Sequence, residues 1–424
     1  MKQRGRHRRQ KRGKALRAFL AGTALALTGA ATLISASQAT VSDNPGALKP
    51  LAETGSLSLR EHRVPQQSLD RLASGMGRPV GVGAVLDSAE HTLRDAASCT
   101  GAEREALPVE PAATRAYCWD AAGTRSWRPG AVTTSGDADD DGVWGQNRAI
   151  LSGWSQEGPT AGRGLARVAF VDANDLNHLT YTSALLTVPV DGGRNYRALD
   201  SDVSGMVWYQ DKLLVTSAKG LYVYDVNRVQ RATVDSAAIG RVRGGWSAHG
   251  YRYVLPAVGS YRLSGADGAP RPEALSLDRS TTPDSLVASG RTTAGGERPA
   301  RLWRYSFSTD PDRGGLLATD ATGQAKAVEA YETKGDGGGG GGVLSYDSDW
   351  YVSRDAGEDQ GHGTLWREDA SGGRAAECGS DETKHCWSPR TRSLSYWAAT
   401  GEVWSQSGQT LFALPLASLD SSVR

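Results

Sequence analysis

The stretch GMVWYQDKLLVTSAKGLYVYDV, residues 205 to 226, decides the fold class of this chain. It divides into three apolar segments of typical strand length, at 206–209, 213–217 and 221–226. The gaps between them contain Asp211 and Gly220, residue types that are common in turns between strands. The pattern predicts three antiparallel strands joined by two tight turns.

The same three-strand pattern recurs along the chain. Its middle strands begin at Ile150, Leu213, Leu286, Tyr351 and Val403, at spacings of 63, 73, 65 and 52 residues. Sheets of three or four strands cannot bury an apolar face alone, so neighbouring copies must stack and close into a ring.

We therefore predict an all-β fold, a β-propeller of about five blades within a range of roughly five to seven, over residues 113–424. A β-sandwich is the alternative, but it does not explain a pattern that occurs five times. The strand that closes the ring is either the last one, at 410–416, or an N-terminal strand near 117–127.

Residues 1–39 have the features of a secretory signal peptide. Nine Lys and Arg residues precede and border an apolar run at 18–34, and the small residues at 37–39 fit a cleavage site. A membrane anchor is the alternative, but the run is short and rich in Ala, Gly and Thr. We predict a secreted, extracellular protein that is not held in a membrane after cleavage.

Two further segments precede the predicted propeller. Residues 40–67 are largely polar and contain prolines, which predicts a flexible linker. Residues 68–112 begin with Leu, Ala and charged residues at helical spacing, which predicts one or two short helices.

Removal of the signal peptide changes the charge of the chain. The nine basic residues leave without any acid, so 39 Lys and Arg remain against 47 Asp and Glu. An acidic secreted protein has no general electrostatic attraction to nucleic acid or to anionic membranes. The expected partner is instead an extracellular polysaccharide or a protein.

The four cysteines form two local pairs, Cys99 with Cys118 and Cys378 with Cys386. An even number of cysteines in an exported protein favours disulfide bonds, and of the three pairings that four cysteines allow we predict the local one. A zinc site is the alternative, but neither pair has the short C-x-x-C spacing that such sites use.

Seven phrases occur in order along the chain: YCW at 117–119, AVTTS at 131–135, RVAFV at 167–171, GMVWY at 205–209, YVLP at 253–256, SLDRSTTPDSLV at 276–287 and YWAATGEVWS at 396–405. Together they resemble a family of secreted, uncharacterised actinobacterial proteins with propeller-like repeats. The resemblance implies export and a repeated sheet fold, and it brings no catalytic residues.

Alternating acids at Asp137, Asp139 and Asp141, followed by Gly142, match the opening of a calcium-binding loop. The twelfth position is Arg148, where such a loop requires a bidentate Glu. These three aspartates are therefore a candidate calcium site, with a solvated acidic turn as the alternative. No other cofactor is predicted.

Aromatic and acidic residues in the strand phrases give the remaining candidates. The chain has 12 tryptophans against four phenylalanines, and most should pack between sheets. An exposed subset, with Trp208 as the candidate, would offer a stacking platform for carbohydrate. Asp278 and Asp284 are candidate acids near the axis of the ring.

Two functions are therefore open. The first is a secreted binding or interaction protein, associated with carbohydrate or the cell wall. The alternative is an extracellular hydrolase or lyase with its active site in the central channel. Several acids or histidines that converge there with perturbed pKa values would favour the enzyme.

Overall fold

The computed structural model describes residues 44–156, 164–265, 269–291, 300–333, 341–357 and 361–423. The predicted signal peptide, 1–39, lies outside the described residues. None of the helices in the described ranges has the length and apolar character that a bilayer crossing needs. The described chain is mostly β, as predicted.

The N-terminal segment combines short strands with short helices. Its elements are β1 (Lys49–Pro50), β2 (Leu59–Arg63), α1 (Gln66–Met76), α2 (Val82–Leu86), β3 (His91–Thr92), β4 (Arg94–Asp95), α3 (Gly101–Glu105), β5 (Arg115–Cys118) and α4 (Ala121–Thr124). The three helices α1, α2 and α3 lie in or next to the segment 68–112, for which the sequence predicts short helices.

A continuous sheet of 13 strands follows, and we call its two four-stranded parts sheet 1 and sheet 2. Sheet 1 contains β6 (Arg128–Thr134), β7 (Ala149–Gln156), β8 (Leu165–Asp172) and β9 (Thr180–Val190), with α5 (Ser135–Ala138) after β6 and β10 (Asn195–Ala198) beside β9. Sheet 2 contains β11 (Met206–Tyr209), β12 (Lys212–Ser217), β13 (Gly220–Asp225) and β17 (Tyr253–Leu263). The chain segment that connects β13 to β17 contains β14 (Gln230–Arg231) and the hairpin of β15 (Ile239–Val242) and β16 (Gly245–Ala248). The three strands predicted at 206–226 match β11, β12 and β13 to within one residue at each end.

Three more sheets complete the described fold. Sheet 3 contains β18 (Ala274–Asp278), β19 (Ser285–Arg291), β20 (Ala300–Ser306) and β22 (Glu329–Thr333), and β21 (Gln324–Ala325) precedes β22. Sheet 4 contains β23 (Val343–Tyr346), β24 (Asp349–Arg354), β25 (Thr364–Glu368) and β26 (Gly373–Ala375). Sheet 5 contains β27 (Leu394–Trp397), β28 (Glu402–Ser407) and β29 (Thr410–Pro415), and α6 (Leu416–Ser422) ends the described chain. Single 3-10 turns lie at Gly55–Leu57, Ala96–Ser98, Asp191–Gly193, Val226–Arg228 and Pro311–Arg313.

Sheet 5 takes its fourth strand from the N-terminal segment. β29 pairs antiparallel with β5, so that Thr410 lies opposite Cys118. The two strands proposed as alternatives for closing the ring are thus partners of each other. A disulfide bond from Cys99 to Cys118 fastens β5, and a second bond joins Cys378 to Cys386. Both predicted disulfide pairs are confirmed.

The segment 40–67, for which the sequence predicts a linker, contains two paired strands in its described part. β1 pairs with β22 at the outer edge of sheet 3, and β2 pairs with β17 at the outer edge of sheet 2. Leu57 and Leu59 are fully buried, which anchors this segment. Because unpaired sheet edges invite association with other chains, such short covering strands protect sheets 2 and 3.

Apolar side chains fill the space between neighbouring sheets. Of the five apolar clusters in the described residues, one lies between each of the sheet pairs 1 and 2, 2 and 3, 3 and 4, 4 and 5, and 5 and 1. The first strands of the sheets contact one another in the same cycle, from β6 to β11, β18, β23, β27 and back to β6. Each sheet therefore buries both of its faces.

Candidate functional site

The ends of the first strands meet at one side of the molecule and form a polar group that we call the strand-end cluster. It contains Asp137, Tyr209, Asp278, Arg279 and Asp284, together with the hydroxyl groups that bind them. Backbone contacts fix these ends to each other: the Trp208 N–H donates to Thr133 Oγ1 (2.9 Å), and the Gln210 N–H donates to the Ala138 carbonyl (3.0 Å).

Asp137 lies in the interior, in the single turn of α5 that follows β6. Its Oδ2 accepts hydrogen bonds from the hydroxyl groups of Thr133 (2.5 Å) and Ser395 (2.7 Å). Burial raises the pKa of Asp137, and these two hydrogen bonds counteract part of that rise. Because Ser395 belongs to β27, this carboxyl group ties sheet 1 to sheet 5.

Asp278 likewise joins two sheets, sheet 3 and sheet 4. Its side chain is fully buried and pairs with Arg304 Nη1 at 3.0 Å. It also accepts from the Ser280 N–H (2.8 Å) and from the Ser345 hydroxyl of β23 (2.8 Å). A buried carboxylate without such partners would be strongly destabilising, so the surrounding donors are what allow an acid at this position.

Asp284 is the more accessible acid of the cluster. Its Oδ2 accepts from the Tyr209 hydroxyl (3.0 Å) and pairs with Arg279 Nη1 (3.1 Å). Arg279 also donates through Nη2 to the Asp137 carbonyl (2.7 Å), and its guanidinium lies 5.6 Å from the centre of the Tyr209 ring. This arginine therefore joins residues of sheets 1, 2 and 3.

The titration of Asp284 and Tyr209 follows from their surroundings. Burial raises the pKa of Asp284, although the charge of Arg279 opposes the rise. Burial, followed by the charge of Asp284, raises the pKa of Tyr209 to about 12. The Tyr209 hydroxyl therefore stays protonated at neutral pH and acts as a hydrogen-bond donor, not as a base.

A second polar group lies around Asp355, which follows β24. Burial raises the pKa of Asp355 to about 6, although the charges of Arg392, Arg390 and Arg291 oppose the rise. Its Oδ1 is buried without a hydrogen-bond partner in the described structure. A partly buried acid with a pKa near neutrality is a typical feature of functional sites.

The aspartates proposed to bind calcium do not form one group. Asp137 is buried in the cluster, whereas Asp139 and Asp141 are exposed and cap backbone N–H groups of their own turn, those of Asp141 and Val143. Among the described residues, the three side chains with metal-type ligand atoms close together are Cys99, Glu103 and Cys118, whose sulfurs already form a disulfide. Calcium binding by the acidic turn stays a prediction.

Trp208 is not exposed, so the prediction that it forms a ligand platform is wrong. Its side chain is fully buried and packs against Trp144, with the ring centres 5.3 Å apart. The other tryptophans of the strand phrases are also buried, namely Trp303, Trp350, Trp366, Trp397 and Trp404. Packing between sheets, the main expectation for these residues, accounts for the five that belong to the apolar clusters, whereas the Trp366 ring lies against the charged groups of Arg354 and Lys384.

Sequence reasoning places Asp278 and Asp284 near the axis, and the structure brings them together with Asp137. It misses Arg279, Tyr209 and Asp355. Arg279 lies inside the phrase SLDRS, between the two predicted acids, so its charge was a usable signal. Nothing in the local sequence of Asp355 marks it, because the arginines whose charges act on it, at 291, 390 and 392, come from distant parts of the chain. Comparison with protein-family models and with curated proteins finds no match for this sequence.

The strand-end cluster predicts a large effect of Asp137 on stability. Asp137→Ala leaves the hydroxyl groups of Thr133 and Ser395 buried without their acceptor, so we expect the free energy of unfolding to fall by about 3 kcal/mol. The exposed Asp140, three residues away, is the matched control, and Asp140→Ala should change it by less than about 0.5 kcal/mol. Urea unfolding of both variants measures this difference, and equal effects would show that Asp137 does not tie the sheets.

Asp355 predicts a pH dependence of stability. Because its pKa is raised in the folded protein, the folded state binds the proton more tightly than the unfolded state. Its contribution to stability is therefore present below about pH 4 and is lost as the pH rises through about 6. Asp355→Asn should remove a fall of about 2 kcal/mol across this window, as measured by urea unfolding at several pH values. A variant with the wild-type pH profile would contradict this assignment.

Proposed function

We propose that the chain is a secreted β-propeller of five blades that binds a hydroxyl-rich extracellular ligand at the strand-end cluster. The cycle of contacts between the five first strands supports the propeller, as does the apolar cluster between every pair of neighbouring sheets. In this arrangement, the pairing of β5 with β29 closes the ring.

Export is supported by the predicted signal peptide and by two disulfide bonds, which persist in oxidising compartments. Membership of the actinobacterial secreted family is part of the same proposal, and it rests on the order of the seven phrases.

The observation that favours binding over catalysis is the bonding of the buried acids. Asp137 and Asp278 accept hydrogen bonds from hydroxyl, amide and guanidinium groups of the sheets themselves. Of the three acids in the cluster, Asp284 is the one that solvent reaches, with its side chain 22% exposed. Hydrolysis of a glycosidic bond commonly needs two carboxyl groups that face the substrate.

The accessible part of the cluster suits a ligand with many hydroxyl groups. Asp284 offers a carboxylate acceptor and Arg279 offers guanidinium N–H donors, while the buried Tyr209 holds Asp284 in place through its hydroxyl group. Polysaccharides of the cell wall or the extracellular matrix have this chemistry, and a protein partner is the second candidate. The enzyme alternative uses the same residues, with Asp284 as the acid.

We expect the secreted chain, residues 40–424, to be retarded by at least one cell-wall or plant polysaccharide in affinity electrophoresis. Asp284→Asn should weaken this retardation by about tenfold, because a charge-assisted hydrogen bond is lost. Asp312→Asn, at an exposed acid outside the cluster, is the matched control and should leave retardation unchanged.

The same polysaccharides should release no reducing ends when incubated with the protein. Release by the wild type and not by Asp284→Asn would overturn the binding proposal in favour of the enzyme. Equal retardation of wild type and Asp284→Asn would show that the ligand site lies elsewhere.

A further inference from the structure

A cleft at the outer edge of the molecule arises where two paired strands separate. β9 and β17 run parallel and pair from Ala184 and Tyr253 to Thr187 and Pro256. Proline has no N–H to continue such a ladder. Beyond this point β9 pairs with β10, whereas β17 pairs with β13 and β2. The divergence opens a cavity of about 420 Å³, a size common for small-molecule sites.

Strand register places a row of polar side chains along one wall of this edge cleft. Tyr222 lies opposite Ser260, and Ser260 lies opposite His62, so all three project from the same face of sheet 2. Arg262 is two residues beyond Ser260 and shares that face. All four residues line the cavity, and Tyr222 is half-buried, which leaves part of its ring accessible.

Arg197 contributes a second positive charge. It lies opposite Val188 in the pairing of β10 with β9, and both residues line the cavity. Neither Arg197 nor Arg262 forms an ion pair with any residue in the described part of the chain. Arg63 also lines the cleft, but its charge is paired with Glu61 at 2.8 Å.

Asp191 is the acidic residue among those that line the cleft, so positive charge exceeds negative charge there. This local excess contrasts with the acidic balance of the chain after residue 39. Arg197 donates through Nη1 to the Ala198 carbonyl (3.0 Å), but neither its charge nor that of Arg262 is paired with a carboxylate in the described chain. Two such arginines beside an accessible aromatic ring are well suited to an organic anion.

The other wall of the cleft is held rigidly. The turn at Asp191–Gly193 packs on the beginning of α1, and a Cβ atom at Gly193 would lie 1.9 Å from the Ser68 carbonyl oxygen. Gly193 also has a φ of 81°, in the region that favours glycine. Arg71 of α1 donates to the Gly192 carbonyl (2.5 Å). This wall of the cleft is therefore formed before a ligand arrives, which favours binding.

We propose that the edge cleft is a second binding site, for a small organic anion. Its carboxylate, phosphate or sulfate group lies between Arg197 and Arg262, and its ring or carbon skeleton lies against Tyr222. Ser260 and His62 supply hydrogen bonds to the rest of the molecule. This site is separate from the strand-end cluster and does not depend on the function proposed for it.

Isothermal titration calorimetry of residues 40–424 with three sugars tests this proposal. Glucuronate carries a carboxylate, glucose 6-phosphate carries a phosphate, and glucose is the neutral control. We expect saturable binding of at least one charged sugar, at least about tenfold tighter than glucose, and weaker binding at high salt. Comparison of the two charged sugars identifies the preferred anionic group.

The double variant Arg197→Gln and Arg262→Gln should weaken binding of the charged sugar by about tenfold or more. Arg243→Gln, at an exposed arginine in the turn between β15 and β16, is the matched control and should bind as the wild type does. Arg197 and Arg262 are both exposed, so the double variant should keep the wild-type melting temperature.

If the double variant melts early, Tyr222→Ala provides the second test, and it should also weaken binding. Equal affinity for glucose and both charged sugars, no binding of either charged sugar, or wild-type affinity in the folded variants would each overturn the proposal.

Discussion

Each of the five sheets carries apolar side chains on both of its faces, and the other features of the structure depend on this constraint. In sheet 3, Trp303 and Leu286 pack towards sheet 2, while Val287 and Leu302 pack towards sheet 4. A sheet with two apolar faces needs a neighbour on each side, and a row of such sheets satisfies this need only if its ends meet. The proposed ring is the arrangement that meets this need for every sheet.

The polar groups inside the molecule follow from the same arrangement. Where first strands converge, backbone and side-chain donors are removed from water and need acceptors. Asp137 and Asp278 supply hydrogen-bond acceptors at two of the interfaces between sheets. Glu368 of β25 supplies another, which accepts from the Thr333 hydroxyl of β22. These acids therefore stabilise the packing of neighbouring sheets. Groups that remain accessible to solvent, such as Asp284 and the arginines of the edge cleft, are the ones available for ligands.

The sequence predicts the strands well because apolar residues and turn residues alternate clearly, as in β11, β12 and β13. It also predicts both disulfides, because each cysteine has one near partner. It misses β1 and β2, since short covering strands have no periodic pattern and depend on the sheets that they border. It places Asp137, Asp139 and Asp141 together, although the fold buries the first and exposes the others. The edge cleft has no local signal, because His62, Arg197 and Arg262 come from three separate strands.

The central claim is that sheet 5, with β5 as its fourth strand, closes a ring of five sheets. Native-state amide hydrogen exchange in low concentrations of urea tests it most directly. In a closed ring no sheet can open alone. The slowest amides of β5 and β29 will then exchange with the same opening free energy as the slowest amides in the central strands of sheets 1 to 4. Exchange of β5 and β29 through a local opening several kcal/mol below the global free energy of unfolding would contradict the claim.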